Sequence, residues 1–361
     1  MKQKLDADKS LQTIDAYKIH IKKKIILSIV LLLIVFLLSI FAINAGSTKL
    51  KPYEILMAML GKGTDVSNLV IWRIRLPRIL AAIIAGAGLS LSGCVMQNNL
   101  KNPLASPSTL GISNAAAFGA NLAIIIFGAG SIQSTTADAV IINNPYIVTI
   151  LAFICAMVAT FIILFLAKLK GFSPEAIVLA GVALGSLFSA GTTLIQYFAQ
   201  DVQVAAAVFW TFGDLGRASW DEVIIMAVVI GLSLIYFILR RWDYNALDSG
   251  EESAKSLGVN IERVRFKGML ISSIITAVAV SFLGIIGFIG LIAPQIVRRI
   301  VGGDYRFLIP MSAFVGSTLL LIADTLARTI IAPVILPVGA ITSFLGAPLF
   351  LYLLLRGYKK R

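Results

Sequence analysis

The sequence predicts an all-α, polytopic membrane protein. Hydrophobic residues make up 58% of the chain and charged residues only 14%, and the apolar residues gather into long runs separated by polar loops. A soluble domain is nearer a quarter charged, and the mean hydropathy here is +0.92. Within 361 residues there is no room for a large soluble domain beside the helices.

A crossing helix needs about 20 apolar residues. The first run, 25–43, follows a lysine-rich lead of 24 residues and has no small-residue cleavage site after it, so it reads as a retained anchor. Runs 79–96 and 110–127 flank a polar elbow, Gln97 to Ser108, that holds Pro103, Pro107 and three asparagines. Irregular backbone near a bilayer is tolerated where it is buried in protein or lines a watery path, which points to passage of a solute. Runs 146–167, 176–198, 223–239 and 266–283 follow, then 285–300, short and interrupted by Pro294, then 307–326 and 338–355. Ten crossings put both termini on one side. Most of the 31 Lys and Arg residues lie on loops of that side, and the positive-inside bias makes it cytoplasmic. The expected organisation is a basic tail (1–24), a transmembrane domain (25–356) with an inner loop at 241–263, and a basic end (357–361). Gly181 and Gly185, Ala82 and Gly86, and the triad Gly284, Gly287 and Gly290 read as small faces for close helix packing.

Several function classes are excluded. The charge of +13 follows alternate loops rather than forming a nucleic-acid surface. Cys94 and Cys155 lie inside apolar runs and the one histidine, His20, lies in the tail, so no metal or haem ligand set exists. No GxxxxGK[ST] phosphate loop is present and no catalytic constellation is visible; no cofactor is expected. Glu175, Asp201, Asp304 and Asp324 read as helix-end acids, which leaves a proton- or ion-coupled carrier without its usual intramembrane carboxylate.

Eight basic residues break the charge bias: Lys49, Lys51, Lys62, Arg73, Arg75, Arg78, Arg217 and Arg328. Arg75 and Arg78 bracket Pro77 at the outer mouth of the second run, and Arg328 ends the ninth. Guanidinium forks match carboxylates in two-point geometry, so these three could meet an acidic partner or an anionic solute; snorkelling to lipid phosphate is the alternative. The loop from Arg240 to Arg265 is the longest inner segment. Ser249-x-x-Glu252 resembles a capping box, Gly258 a helix stop, and Leu247, Ala254 and Leu257 one apolar stripe. Such a helix needs a protein surface to cover it and reads as a docking hook for a cytoplasmic motor subunit.

Together these residues resemble the permease subunit of type II ABC importers, the FecCD-type family for iron-siderophore, haem and vitamin B12 uptake. The matching motifs run from Arg73 to Leu355: RLPR at 75–78, SG at 92–93 with Gln97, NPLASP at 102–107, LG at 110–111, LAGVALG at 179–185 and W-x-x-G at 210–213. AKSLG follows at 254–258, GFIGLIAP at 287–294, R-x-x-G-x-D at 299–304, AD at 323–324, and P-x-G-x-x-T with GAP at 337–348. The resemblance implies ten helices in opposed repeats, with Arg73 and Arg75 echoed by Arg263 and Arg265. It implies a permease dimer (of two copies or of two paralogues) set in lipid, two ATP-binding cassette subunits inside, and an extracytoplasmic binding protein. It places Arg75, Arg78 and Arg328 against the binding protein's glutamates. Asn102 and Leu104 fall at the inner gate with Ser173, Pro174 and Glu175, which depart from the small hydroxylated pair of some relatives. Glu251, Ala254, Leu257 and Gly258 fall in the coupling helix. Gln295 stands where many relatives have histidine and receives no role. The expected protein is a non-enzymatic, multi-pass subunit of a bacterial plasma membrane, carrying an iron(III)-siderophore-type chelate; haem or cobalamin are alternative cargoes, and an ion-coupled secondary transporter the alternative class.

Overall fold

The computed structural model describes residues 2–46, 50–132, 140–142 and 144–355. The expected basic end at 357–361 and Lys49 lie outside the described residues. Helix α1 (Lys2–Asn44) is continuous, so the basic lead and the first span form one rod. After it come the short helices α2 (Pro52–Met59) and α3 (Asp65–Leu69). The chain then widens into a π-helical turn (Val70–Arg75) and enters α4 (Leu76–Asn99), whose second residue is Pro77. Residues 65–99 form one unbroken helical segment, and Pro77, which has no N–H to donate, falls where it changes from π- to α-helical turns. Beyond the elbow, α5 (Ile112–Asn121) also runs into a π-helical turn (Leu122–Ile126).

An antiparallel ribbon of β1 (Gly130–Ile132) and β2 (Val140–Ile142) is the one departure from an all-helical fold among the described residues. Helices α6 (Pro145–Leu169) and α7 (Pro174–Tyr197) each begin with proline behind a side-chain cap, Asn144 and Ser173 respectively. An unpredicted helix, α8 (Asp201–Thr211), precedes α9 (Trp220–Leu239). The loop expected at 241–263 folds as two helices, α10 (Arg241–Asp248) and α11 (Glu251–Ser256). The chain closes with α12 (Ile261–Leu283), α13 (Ile289–Val301), α14 (Tyr305–Thr329) and α15 (Val338–Leu355).

Among the described residues, seven helical segments are long and apolar enough to cross a membrane: 18–44, 65–99 and those that hold α6, α7, α9, α12 and α14. The runs expected at 110–127 and 338–355 give shorter apolar helices (Ile112–Ile126 and Val338–Tyr352). The run at 285–300 gives the 13-residue α13. The cause at α13 is local: Gly284 has φ +77° and ends α12, and Phe288 takes a left-handed conformation just ahead of Ile289. Gly284 and Gly287 therefore lie in the irregular link between α12 and α13, and the expected three-residue glycine face does not form.

Helix α4 is the axle of the bundle, packed by α14, α12, α13 and α9. Gly86 meets Gly316 of α14 main chain to main chain, and Gly93 meets the carbonyl of Gly290 in the same way. Small residues allow this approach where lipid supplies no hydrophobic drive between helices. Gly181 and Gly185 of α7 receive the turn at Leu110 and Gly111, as close-packing residues should. A methyl group at Gly93 would overlap the Gly290 carbonyl oxygen. Gly93→Ala is accordingly expected to cost about 1–3 kcal/mol through overpacking, read as a lower melting temperature in detergent. Gly231→Ala, which opens onto free space on α9, should leave the melting temperature unchanged or slightly raised.

Candidate functional site

Two polar clusters sit at opposite ends of α4, about 35 Å apart at 1.5 Å per residue. The first gathers the arginines that break the charge bias. Arg78 Nε donates to Asp324 Oδ1 at 2.7 Å, and Arg328 Nε lies 3.0 Å from Asp324 Oδ2. Arg78 Nη2 also approaches Asp214 Oδ1 at 3.4 Å. Arg75 Nη1 donates to the Ile43 carbonyl, and Arg328 donates to the carbonyls of Ala45 (2.9 Å) and Ala42 (3.4 Å). The end of α1 is thus capped by two guanidiniums, which satisfies carbonyls that have no partner in their own helix and favours the negative end of its dipole.

The three arginines expected to meet an acidic partner, Arg75, Arg78 and Arg328, find their acceptors within the subunit. All three are buried, at 3%, 4% and 6% exposure, and their forks are turned inward. The reason is the company they keep: Asp324, expected at a helix end, is fully buried within α14 and sits between two of them. Arg73 stays on the surface.

The second cluster holds the elbow, the α6–α7 turn and the hook. In the elbow Asn102 Oδ1 accepts from the Leu104 N–H at 2.9 Å, and Leu104 is exposed. The α6–α7 turn closes with two bonds, Gly171 N–H to the Lys168 carbonyl (3.2 Å) and Phe172 N–H to the Ala167 carbonyl (2.8 Å), the 5→2 and 6→1 pair of a Schellman stop. Ser173 Oγ then caps α7 at the Ala176 N–H (3.2 Å), with Pro174 and Glu175 in its first turn. Acid at a helix N-terminus is favoured by the dipole.

The hook differs from its expectation in two respects. Ser249 ends α10 and bonds back to the Asn245 carbonyl, so no capping box with Glu252 forms and Gly250 is the residue that precedes α11. The apolar stripe is split: Leu247 and Ala254 are buried, whereas Leu257 is 71% exposed. Gly258, at φ +80°, does stop α11, through Gly258 N–H to the Lys255 carbonyl and Val259 N–H to the Ala254 carbonyl, both 2.9 Å. Helix α10 is pinned to the bundle. The Tyr244 carbonyl accepts from Asn98, Asn245 Oδ1 accepts from the Tyr305 N–H, and Asp248 pairs with Arg298.

Two residues without an assigned role join these parts. Gln295 Nε2 donates to Gln97 Oε1 (2.7 Å) and to the Pro103 carbonyl (3.2 Å), tying α13 to the elbow. Arg265, at 3% exposure on α12, donates from Nε to the Asn99 carbonyl (3.1 Å), from Nη1 to the Phe172 carbonyl (3.2 Å) and from Nη2 to Glu251 Oε1 (2.7 Å). The signal for Arg265 in the sequence is only a charge beside the apolar run that opens at Phe266.

With this architecture in place, the class is that of an ABC importer permease. The model of the FecCD transport family matches residues 31–356, and the chain belongs to that family. A protein of Methanocaldococcus jannaschii described as an ABC transporter permease, MJ0087, is 62% identical over 344 residues, covering 95% of this chain and 98% of its own. The hemin transport system permease HmuU of Yersinia pestis is 35% identical over 344 residues, with the same coverage. A solved metal-chelate type ABC transporter in an inward-facing conformation superposes with a TM-score of 0.79 at 30% identity, covering 92% of this chain and 99% of that one.

Two outcomes are expected. Asp324→Asn leaves Arg78 and Arg328 buried without their carboxylate and should cost about 3–5 kcal/mol in detergent unfolding; Arg78→Met with Asp324→Leu and Arg328→Met should cost less than Asp324→Leu alone. Separately, the hydrogen bond from Arg265 holds the Glu251 carboxyl below its ordinary value of 4.5 against the opposing effect of burial. A lowered carboxylate contributes stability above its ordinary value and loses it as the pH falls through the lowered one. The melting-temperature gap between wild type and Glu251→Gln should hold constant above pH 4.5 and close on acidification below it.

Proposed function

We propose that the chain is the membrane-spanning subunit of an importer that receives an iron(III)-siderophore-type chelate from an extracytoplasmic binding protein and releases it inside. Two ATP-binding cassette subunits would drive release by engaging α10–α11. The observation that carries this reading is the hook itself: Leu247 and Ala254 root it in the bundle while Leu257 stands exposed beside it, an apolar knob for a partner's groove. In this reading the subunit crosses the cell membrane ten times, with α5, α13 and α15 as short crossings in a dimer of opposed repeats, and both termini are cytoplasmic. Asn102, Leu104 and the turn Ser173-Pro174-Glu175 narrow the inner mouth. An acidic partner at Arg75, Arg78 and Arg328 would have to replace Asp324 and the α1 carbonyls as their acceptors. A relative named for hemin and a structural neighbour named for metal chelates support an iron-type chelate as cargo.

The test is uptake by vesicles holding the chain with its ATP-binding subunits and binding protein. Ferric hydroxamate should accumulate only with internal ATP, and hemin or cobalamin should compete weakly. Accumulation that ignores ATP and collapses with a protonophore would establish the gradient-driven class.

A further inference from the structure

We infer that Arg265 is the positioning residue through which movement of α11 reaches the inner mouth, an inference that rests on the importer reading above. Three structures that the chain keeps far apart meet at one guanidinium. Glu251 opens α11, Asn99 is the last residue of α4 and lies at the start of the elbow, and Phe172 is the last residue before the α7 cap. Each supplies one acceptor to a different nitrogen of Arg265, at 2.7, 3.1 and 3.2 Å.

The fork is planar and its donors are fixed relative to one another, so a shift of one acceptor cannot be absorbed by bending within the group. Its bonds to the Asn99 and Phe172 carbonyls are buried, and an unmet buried donor there is costly. Phe172 is held from the other side by an edge-on contact with Phe266, the residue after Arg265, with ring centroids 6.0 Å apart. Lys101, in the elbow, adds a weaker tether to Glu251 at 3.8 Å. Pulling Glu251 with α11 therefore draws on the start of the elbow and the start of α7 together. Leu104 and Pro174 lie within five residues of these anchor points.

The experiment uses the full complex in vesicles and reads chelate uptake and ATP hydrolysis from the same sample, per assembled complex. For Arg265→Gln, hydrolysis should stay within about twofold of wild type while chelate carried per ATP falls about tenfold, a change of the size usual for coupling between sites. Arg265→Lys keeps a cation for Glu251 but cannot reach three acceptors at once, and should fall between. Spin labels on Leu104→Cys and Glu175→Cys report the mouth directly: their ATP-dependent distance change should be lost with Arg265→Gln. An unchanged ratio of uptake to hydrolysis with a normal distance change overturns the inference. A parallel fall of both rates, with the label response kept, overturns it too, since that is the mark of a merely structural residue. Wild-type vesicles that take up no chelate on ATP addition would instead bring down the importer reading.

Discussion

The fold depends on one constraint: a main-chain carbonyl at the end of a buried helix must find a donor where no water can supply one. Here arginine supplies it repeatedly. Arg75 and Arg328 close the end of α1, and Arg265 closes the end of α4 together with the turn after α6. A guanidinium brings five donors on a long stem and keeps its charge, so one side chain can hold two or three chain segments at once. Arg75 and Arg265, paired in the sequence as echoes of one another, do the same work at opposite ends of the bundle.

Charge balance follows from this. Arginines placed inside for their hydrogen bonds bring charge with them, and Asp324 answers two of them from the middle of the cluster. A carboxylate within a span would ordinarily point to ion coupling. Clasped from both sides by guanidiniums, this one is accounted for by the architecture. The supporting polar pairs at the other end, Asp248 with Arg298 and Glu251 with Arg265, lie where the hook joins the bundle.

Much of the fold was legible because apolar runs and glycine spacing are properties of the local chain. The long helices, the packing at Gly181 and Gly185, and the Gly258 stop could all be read from neighbours within one or two turns. What failed was long-range. Hydropathy ranks arginine as a surface residue, so nothing local distinguishes Arg73, which stays exposed, from Arg75 and Arg78, which do not. Their acceptors come from α1, more than thirty residues earlier, and from Asp324, 246 residues later. Gln295 and Arg265 escaped for the same reason: each matters through carbonyls that belong to other helices, and a carbonyl carries no sequence signal. The hook's stripe misled in another way, since Leu257 obeys the helical spacing but lies past the point where α11 ends.

The seam between α7 and its neighbours has a mechanical corollary. Within α7 only Ile177, Gly181 and Gly185 are buried; the two glycines lie against the turn at Leu110 and Gly111, and Asn114 of α5 donates to the Gly185 carbonyl. The seam is keyed at a few points along α5, so an axial shift of this rod has to carry α5 with it or give up the Asn114 and Gln196 hydrogen bonds. The rod starts directly after the Phe172 carbonyl that Arg265 grips. Tension applied at that start is therefore shared by α5 and α7 as a tied pair.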